Sequence, residues 1–280
     1  MLVNGQQQQF IDIADRAFQY GDGCFTTMAY RNGQIELFGS HIERLKKACN
    51  VLTINFDNWS KLQECILESL PIGDCVIKVI ISRGVGGRGY SPQGANHANF
   101  VISHHVIPNQ YSEWQSTGIN LTVSSVKLAI QPLLAGIKHL NRLEQIFIKQ
   151  DLSQMSFDEV IVCDTQQRVV ESSAGNVFWL KNEVWYTPDL TASGVEGVMR
   201  NHVVAVLNAK RIDCQVISED LSTLWDAQEL FICNSLMSIV PVASLHNPHN
   251  NQITYFKSNQ VKKLQYDVLK SINNDAMDLK

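Results

Sequence analysis

The chain has 280 residues, 45% apolar and 18% charged, an ordinary folded composition with length for two modest cores. Its net charge of −4 comes from 23 basic and 27 acidic residues with no basic run, which argues against nucleic acid, since phosphate backbones are bound through clustered cations. The opening MLVNGQQQQF lacks a signal-peptide pattern, no apolar run is long enough for a bilayer, and the cysteines are odd in number without a C-x-x-C pair; a cytoplasmic protein with reduced thiols and no membrane partner is expected.

Asn4-Gly5 and Asn32-Gly33 are hairpin-turn dipeptides, and the short tract Gln6 to Gln9 reads as a polar strand or turn. Leu45, Ala48, Cys49 and Leu52 recur at i, i+3, i+4, i+7, the spacing of one helix face, and Trp59, Leu62, Ile66 and Leu70 do the same before Pro71. Cys75–Ser82 (CVIKVIIS) and Phe100–Ser103 read as strands. The polar, aperiodic HHVIPNQYSEW marks a linker at 106–116, between an N-terminal domain at 1–105 and a C-terminal domain at 117–280. The latter opens on a strand at Ile119–Val126, followed by a helix from about Asn141 with Leu143, Ile146 and Phe147 inward. EVIVCD, RVVES, NVFWL and EVWYT follow, broken at Thr165-Gln166-Gln167, Ser173-Ala174-Gly175 and Lys181-Asn182; short strands with tight turns suggest antiparallel sheet. A helix from Val198 and strands at Ile212–Ile217 and Glu229–Cys233 close the chain's periodic part.

Several residues could carry chemistry. Lys138, in AGIKHLNRLEQ, follows an apolar segment; desolvated there its amine would be a nucleophile, and solvated at a helix start it would be inert. Glu171, ending RVVES, could hold a proton on a ring nitrogen or be an exposed edge carboxylate. GVEGVMR leads glycine into a helix start, where unpaired amides can meet an anion, although such entries are common. SRGVGGRGYS lacks the Gly-Lys-Ser/Thr ending of a nucleotide loop and reads better as a flexible substrate loop carrying the cation of Arg88. His104-His105 has no acidic or cysteine ligands at matching spacing, so no metal is expected.

Seven segments, in order and spacing, resemble one family. They are DRAFQYGDGCFTT (Asp15–Thr27), HIERL (His41–Leu45), ISRGVGGRGYS (Ile81–Ser91), LAGIKHLNRLEQ (Leu134–Gln145), ESSAGNVFW (Glu171–Trp179), GVEGVMR (Gly194–Arg200) and ICNSLMSIVPV (Ile232–Val242). The chain resembles the fold-type IV pyridoxal-phosphate enzymes, the branched-chain and D-amino-acid aminotransferase-like family, and within them the aminodeoxychorismate lyase branch, to which LAGIKHLNRLEQ and GGRGY point. The resemblance implies an α/β (α+β) fold with a smaller N-terminal α/β domain and a larger C-terminal domain built on a mostly antiparallel sheet or barrel. It implies pyridoxal 5′-phosphate as cofactor, a small-molecule substrate (4-amino-4-deoxychorismate) and a homodimer. By position, Lys138 matches the Schiff-base lysine and Glu171 the partner of the pyridine nitrogen. Arg44 matches the arginine on the cofactor phosphate, with the amides of Val198 and Met199 and the hydroxyl of Ser235 completing the phosphate cup. Arg88 and Tyr90 fall on the substrate side. The alternative is an aminotransferase for D-amino or branched-chain amino acids, which would share all the cofactor residues.

Overall fold

The computed structural model describes residues 1–275, which fall into two compact units. One holds Met1–Ile107 and Ile137–Asn141; the other holds Pro108–Gly136 and the chain from Arg142 onward. The short segment around Lys138 therefore belongs with the first unit, although in sequence it lies some 30 residues beyond that unit's main stretch.

The first unit runs β1 (Leu2–Val3), β2 (Gln6–Gln7), α1 (Arg16–Tyr20), β3 (Gly23–Arg31), β4 (Gln34–Ile35), α2 (Phe38–Val51), α3 (Trp59–Glu68), β5 (Cys75–Ser82) and β6 (Asn99–His105). Its sheet has the order β2-β1-β6-β5-β3-β4, antiparallel throughout. Both dipeptide turns close hairpins with positive φ at each central residue, 52° and 84° at Asn4-Gly5 and 53° and 79° at Asn32-Gly33, the geometry whose twist matches the strands. The expected faces of α2 and α3 bury Leu45, Ala48, Cys49, Leu62 and Ile66 against Met28, Ile77 and Ile81 of the sheet. A fully buried leucine or isoleucine contributes roughly 2 kcal/mol, so this face fixes both helices.

The second unit runs α4 (Gln110–Thr117), β7 (Ile119–Val123), α5 (Leu143–Leu152), β8 (Glu159–Cys163), β9 (Val169–Ser172), β10 (Asn176–Lys181), β11 (Val184–Pro188), α6 (Val198–Ala209), β12 (Cys214–Ile217), α7 (Ser222–Trp225), β13 (Glu229–Asn234), β14 (Ser238–His246), β15 (Ile253–Tyr255) and α8 (Asn259–Asp275). Its sheet has the order β12-β11-β10-β13-β14-β7-β8-β9, with β15 on β14. The terminal strand β9 also lies beside β10, so the sheet curls. Strands joined by tight turns are antiparallel, as expected. The pairs β7–β8 and β11–β12 are parallel, because α5 and α6 intervene and supply the crossover that parallel neighbours need.

Three local expectations are corrected. Most of the stretch read as a linker is helix α4, whose Tyr111 and Trp114 pack on the second unit's core; two aromatics one turn apart are too few to show a period. The strand opening at Ile119 stops at Val123 because the Ser124 hydroxyl accepts from the Val126 amide and turns the chain. In α5, Leu143, Ile146 and Phe147 point outward at 68%, 58% and 57% exposure, while Ile148 and Leu152 enter the core. This helix is apolar on two faces, and periodicity cannot say which one a sheet will cover.

Candidate active site

In the first unit the Lys138 segment extends the sheet. Beyond the pairing of β4 with Tyr30 and Arg31, the start of β3 has an open edge. The amide of Phe25 donates to the Lys138 carbonyl (3.0 Å) and that of Leu140 to the Gly23 carbonyl (3.0 Å), so 137–141 fills that edge. Gly23 must be small here, since a Cβ would stand 2.4 Å from the Ile81 carbonyl oxygen. Lys138 is thus half-buried in extended chain, ahead of α5 rather than at its start. Its Nζ lies 4.8 Å from the centre of the Phe25 ring, a contact that favours a cation.

On the neighbouring helix α2, Arg44 bonds through Nη2 to the Thr26 hydroxyl. Its Nε is buried without a partner, and among the described residues no carboxylate pairs with it. Burial pulls the guanidinium down to about 10. A partly buried cation lacking a counter-charge is costly unless an anion arrives. His41, fully buried, is held well below the usual imidazole range by desolvation and by the charges of Arg44 and Lys138.

The glycine-rich loop after β5 is anchored by side chains from α1 and its neighbours. Buried Arg16 donates to the carbonyls of Gly86, Gly89, Ser91 and Tyr90 at 3.1 to 3.4 Å, and its Nε bonds Asp22 at 2.8 Å. Arg83 reaches the same Asp22 oxygen at 2.8 Å. Burial raises the Asp22 carboxyl, but the hydrogen bonds and charges of Arg83 and Arg16 outweigh it and leave the group below its usual range. Asp15 caps α1 through the Ala17 amide and holds Ser82 and Asn99 at the loop's ends. The side chains of Arg88 and Tyr90 are left in solvent, Tyr90 at 90% exposure. We expect Asp22→Asn to release both arginines and speed hydrogen exchange across residues 84–98; exchange equal to the parent would show that Asp22 does not hold the loop.

In the second unit Glu171 lies one residue before the end of β9, 6% exposed, and its Oε2 accepts from the Val195 amide at 3.0 Å. It is therefore no exposed edge carboxylate. Gly194, at φ +82°, allows this approach, for a Cβ there would lie 2.5 Å from Val170 Cγ1. Asn176 Nδ2 donates to the Val195 carbonyl at 2.8 Å, fixing the loop that enters α6. That helix starts after Gly197 with no side-chain cap, which leaves the backbone amides of Val198 and Met199 to an external acceptor, while their side chains are buried. Ser235 lies in the β13–β14 turn, held by Asn234, whose Oδ1 accepts from the Leu236 and Met237 amides, both at 2.8 Å. Arg44 in the first unit is a donor of the kind a phosphate dianion takes, and so, in the second unit, are the α6 amides and the Ser235 hydroxyl.

Sequence reading assigned no role to Arg16, Asp22, Thr26, His41, Asn176 or Asn234. Charged residues flanking an apolar strand, as in DRAFQYGDGCFTT, were the available signal for the first two.

The model of the aminotransferase class IV family matches residues 23–245. The chain belongs to that family. Class IV proteins use pyridoxal phosphate, and the donors described above fit its phosphate. The class IV chain is 40% identical to the aminodeoxychorismate lyase of Vibrio harveyi over 89% of its own length and 92% of the relative's. It is 29% identical to a putative branched-chain-amino-acid aminotransferase of Methanocaldococcus jannaschii, over 83% and 81%. A 4-amino-4-deoxychorismate lyase structure from Pseudomonas aeruginosa superposes at a TM-score of 0.89, with 32% identity, 96% of this chain and 98% of that one covered.

Proposed function

We propose that this class IV chain is a carbon–oxygen lyase that converts 4-amino-4-deoxychorismate to 4-aminobenzoate and pyruvate, a step toward folate precursors, as a cytoplasmic homodimer. The observation that carries the reading is the 40% identity to a lyase against 29% to an aminotransferase at similar coverage. The outward Leu143, Ile146 and Phe147 of α5 support the dimer, being an apolar patch of the kind that a second copy covers. No helix among the described residues is long and apolar enough to cross a membrane.

When bound, pyridoxal phosphate supplies an electron sink for negative charge on the substrate carbon that bears the amine. Lys138 Nζ would tether the cofactor and would take the proton from that carbon. Glu171, fixed by the Val195 amide, would keep the ring nitrogen protonated. Arg44, the Val198 and Met199 amides and Ser235 would hold the phosphate. Arg88 and Tyr90 offer a cation and a phenol to the substrate's carboxylates. Loss of the proton from one ring carbon and of enolpyruvate from its neighbour leaves an aromatic ring, and this drives the reaction forward.

The purified protein given aminodeoxychorismate should release 4-aminobenzoate and pyruvate in equal amounts without an amino acceptor. D-alanine or L-leucine with 2-oxoglutarate should give at most a minor reaction, because elimination of an adjacent leaving group outruns reprotonation at the cofactor. Faster turnover of either amino-acid pair would replace the lyase by an aminotransferase and leave the fold and cofactor residues standing.

A further inference from the structure

Arg44 is held by an unusual pair of neighbours. Thr26 of β3 and His41 of α2 are both 0% exposed. The Thr26 hydroxyl lies 2.6 Å from His41 Nδ1. Arg44, one turn along α2 from His41, donates through Nη2 to the same hydroxyl, and that nitrogen stands 3.4 Å from His41 Nδ1. A guanidinium has only protons to offer, so the groups facing it must present lone pairs. Thr26 has one proton and gives it to Nδ1, which leaves its oxygen lone pairs toward Arg44. The imidazole is then the neutral Nε2–H tautomer, its Nε2 buried without a partner. Protonating His41 would place a second cation against Arg44, and the imidazole is held well below its usual range by burial and by Arg44 and Lys138.

The choice of acceptors has a consequence for charge. A carboxylate in place of Thr26 or His41 would orient Arg44 equally well but would neutralise it and compete with an incoming anion. Two neutral acceptors fix the guanidinium and leave its whole charge unspent, with Nε also lacking a protein partner.

We propose that Thr26 and His41 are positioning residues, a neutral clamp that holds Arg44 in the orientation in which it receives the cofactor phosphate. The inference rests on the reading that Arg44 binds that phosphate. The clamp acts on the phosphate alone, so it should affect pyridoxal phosphate and leave pyridoxal, which lacks the phosphate, untouched.

The test measures dissociation constants of the cofactor-free protein for both compounds, in the parent and in Thr26→Val, Thr26→Ser and Arg44→Ala. Thr26→Val keeps the shape and removes the hydroxyl. It should weaken pyridoxal phosphate about tenfold, the effect of one lost charged hydrogen bond, and leave pyridoxal unchanged. Thr26→Ser, which restores the hydroxyl, should bind both compounds like the parent. A Thr26→Val protein that binds pyridoxal phosphate normally, while Arg44→Ala does not, overturns the clamp and leaves Arg44 on the phosphate. Normal binding by Arg44→Ala overturns the reading beneath both. Equal losses for phosphate-bearing and phosphate-free compounds in Thr26→Val would mark a structural role and also overturn the clamp. Should Thr26→Val fail to fold, ¹⁵N NMR of His41 in the parent decides. Nδ1 unprotonated and Nε2 protonated across about pH 6 to 8 supports the clamp; a protonated Nδ1, or titration within that range, refutes it.

Discussion

Lys138→Ala is expected to lose the visible absorbance of lysine-bound cofactor and to lower kcat about ten-thousandfold, the upper range for removing a positioned proton-transfer group. The lysine's backbone explains why no neighbour will replace it. Its carbonyl is bonded to the Phe25 amide, and its Nζ rests over the Phe25 ring at 4.8 Å. Lys78 Nζ also lies near that ring, at 5.2 Å, but it projects from β5 and lies outside the seven segments that carry the resemblance. Borohydride reduction followed by peptide mapping checks the assignment directly. Cofactor fixed to Lys78, or an unaltered spectrum in Lys138→Ala, would end Lys138's role.

Glu171→Gln should retain cofactor and slow proton abstraction about a hundredfold. The amide preserves the shape and can still accept from the Val195 N–H, so the loop into α6 stays in place. What it loses is the negative charge, and a hydrogen bond to a charged partner contributes up to about 3 kcal/mol, or roughly two orders of magnitude in rate. The signature is a fall in kcat, an enlarged kinetic isotope effect on the amine-bearing carbon's hydrogen, and an unchanged cofactor dissociation constant. Full activity in Glu171→Gln would remove Glu171 from the ring nitrogen. A weakened dissociation constant with normal kcat would make it a structural residue of the α6 entry loop.

The two substitutions also differ in how legible their residues were. Lys138 and Glu171 each had a plausible inert reading when taken singly, and the order of seven segments singled them out. Thr26 and His41 lay inside two of those segments and still passed unnoticed. Their contact joins a strand to a helix whose sequence positions are 15 apart, and nothing in either local pattern says that a threonine and a histidine face one arginine. Arg16 was similarly hidden, since its acceptors are backbone carbonyls some 70 to 75 residues away, which leave no mark on side-chain composition.

The sequence by itself determined what depends on short range. The type I′ hairpins at Asn4-Gly5 and Asn32-Gly33 follow from two residues that tolerate positive φ. The core faces of α2 and α3 follow from a 3.6-residue period with one apolar stripe. The glycines at 194 and 197 mark backbone that must come close, to Glu171 in one case and Asn176 in the other. Tertiary structure alone decided the rest. It chose Ile148 and Leu152 over Leu143, Ile146 and Phe147 as the buried face of α5, because a helix apolar on both sides buries whichever side the sheet covers. It made β7–β8 and β11–β12 parallel, because direction depends on what the intervening chain folds into. It also set Lys138 on the open edge of β3, more than 100 residues upstream in sequence, because an unpaired strand edge accepts any extended segment that reaches it, and reach is a property of the folded chain.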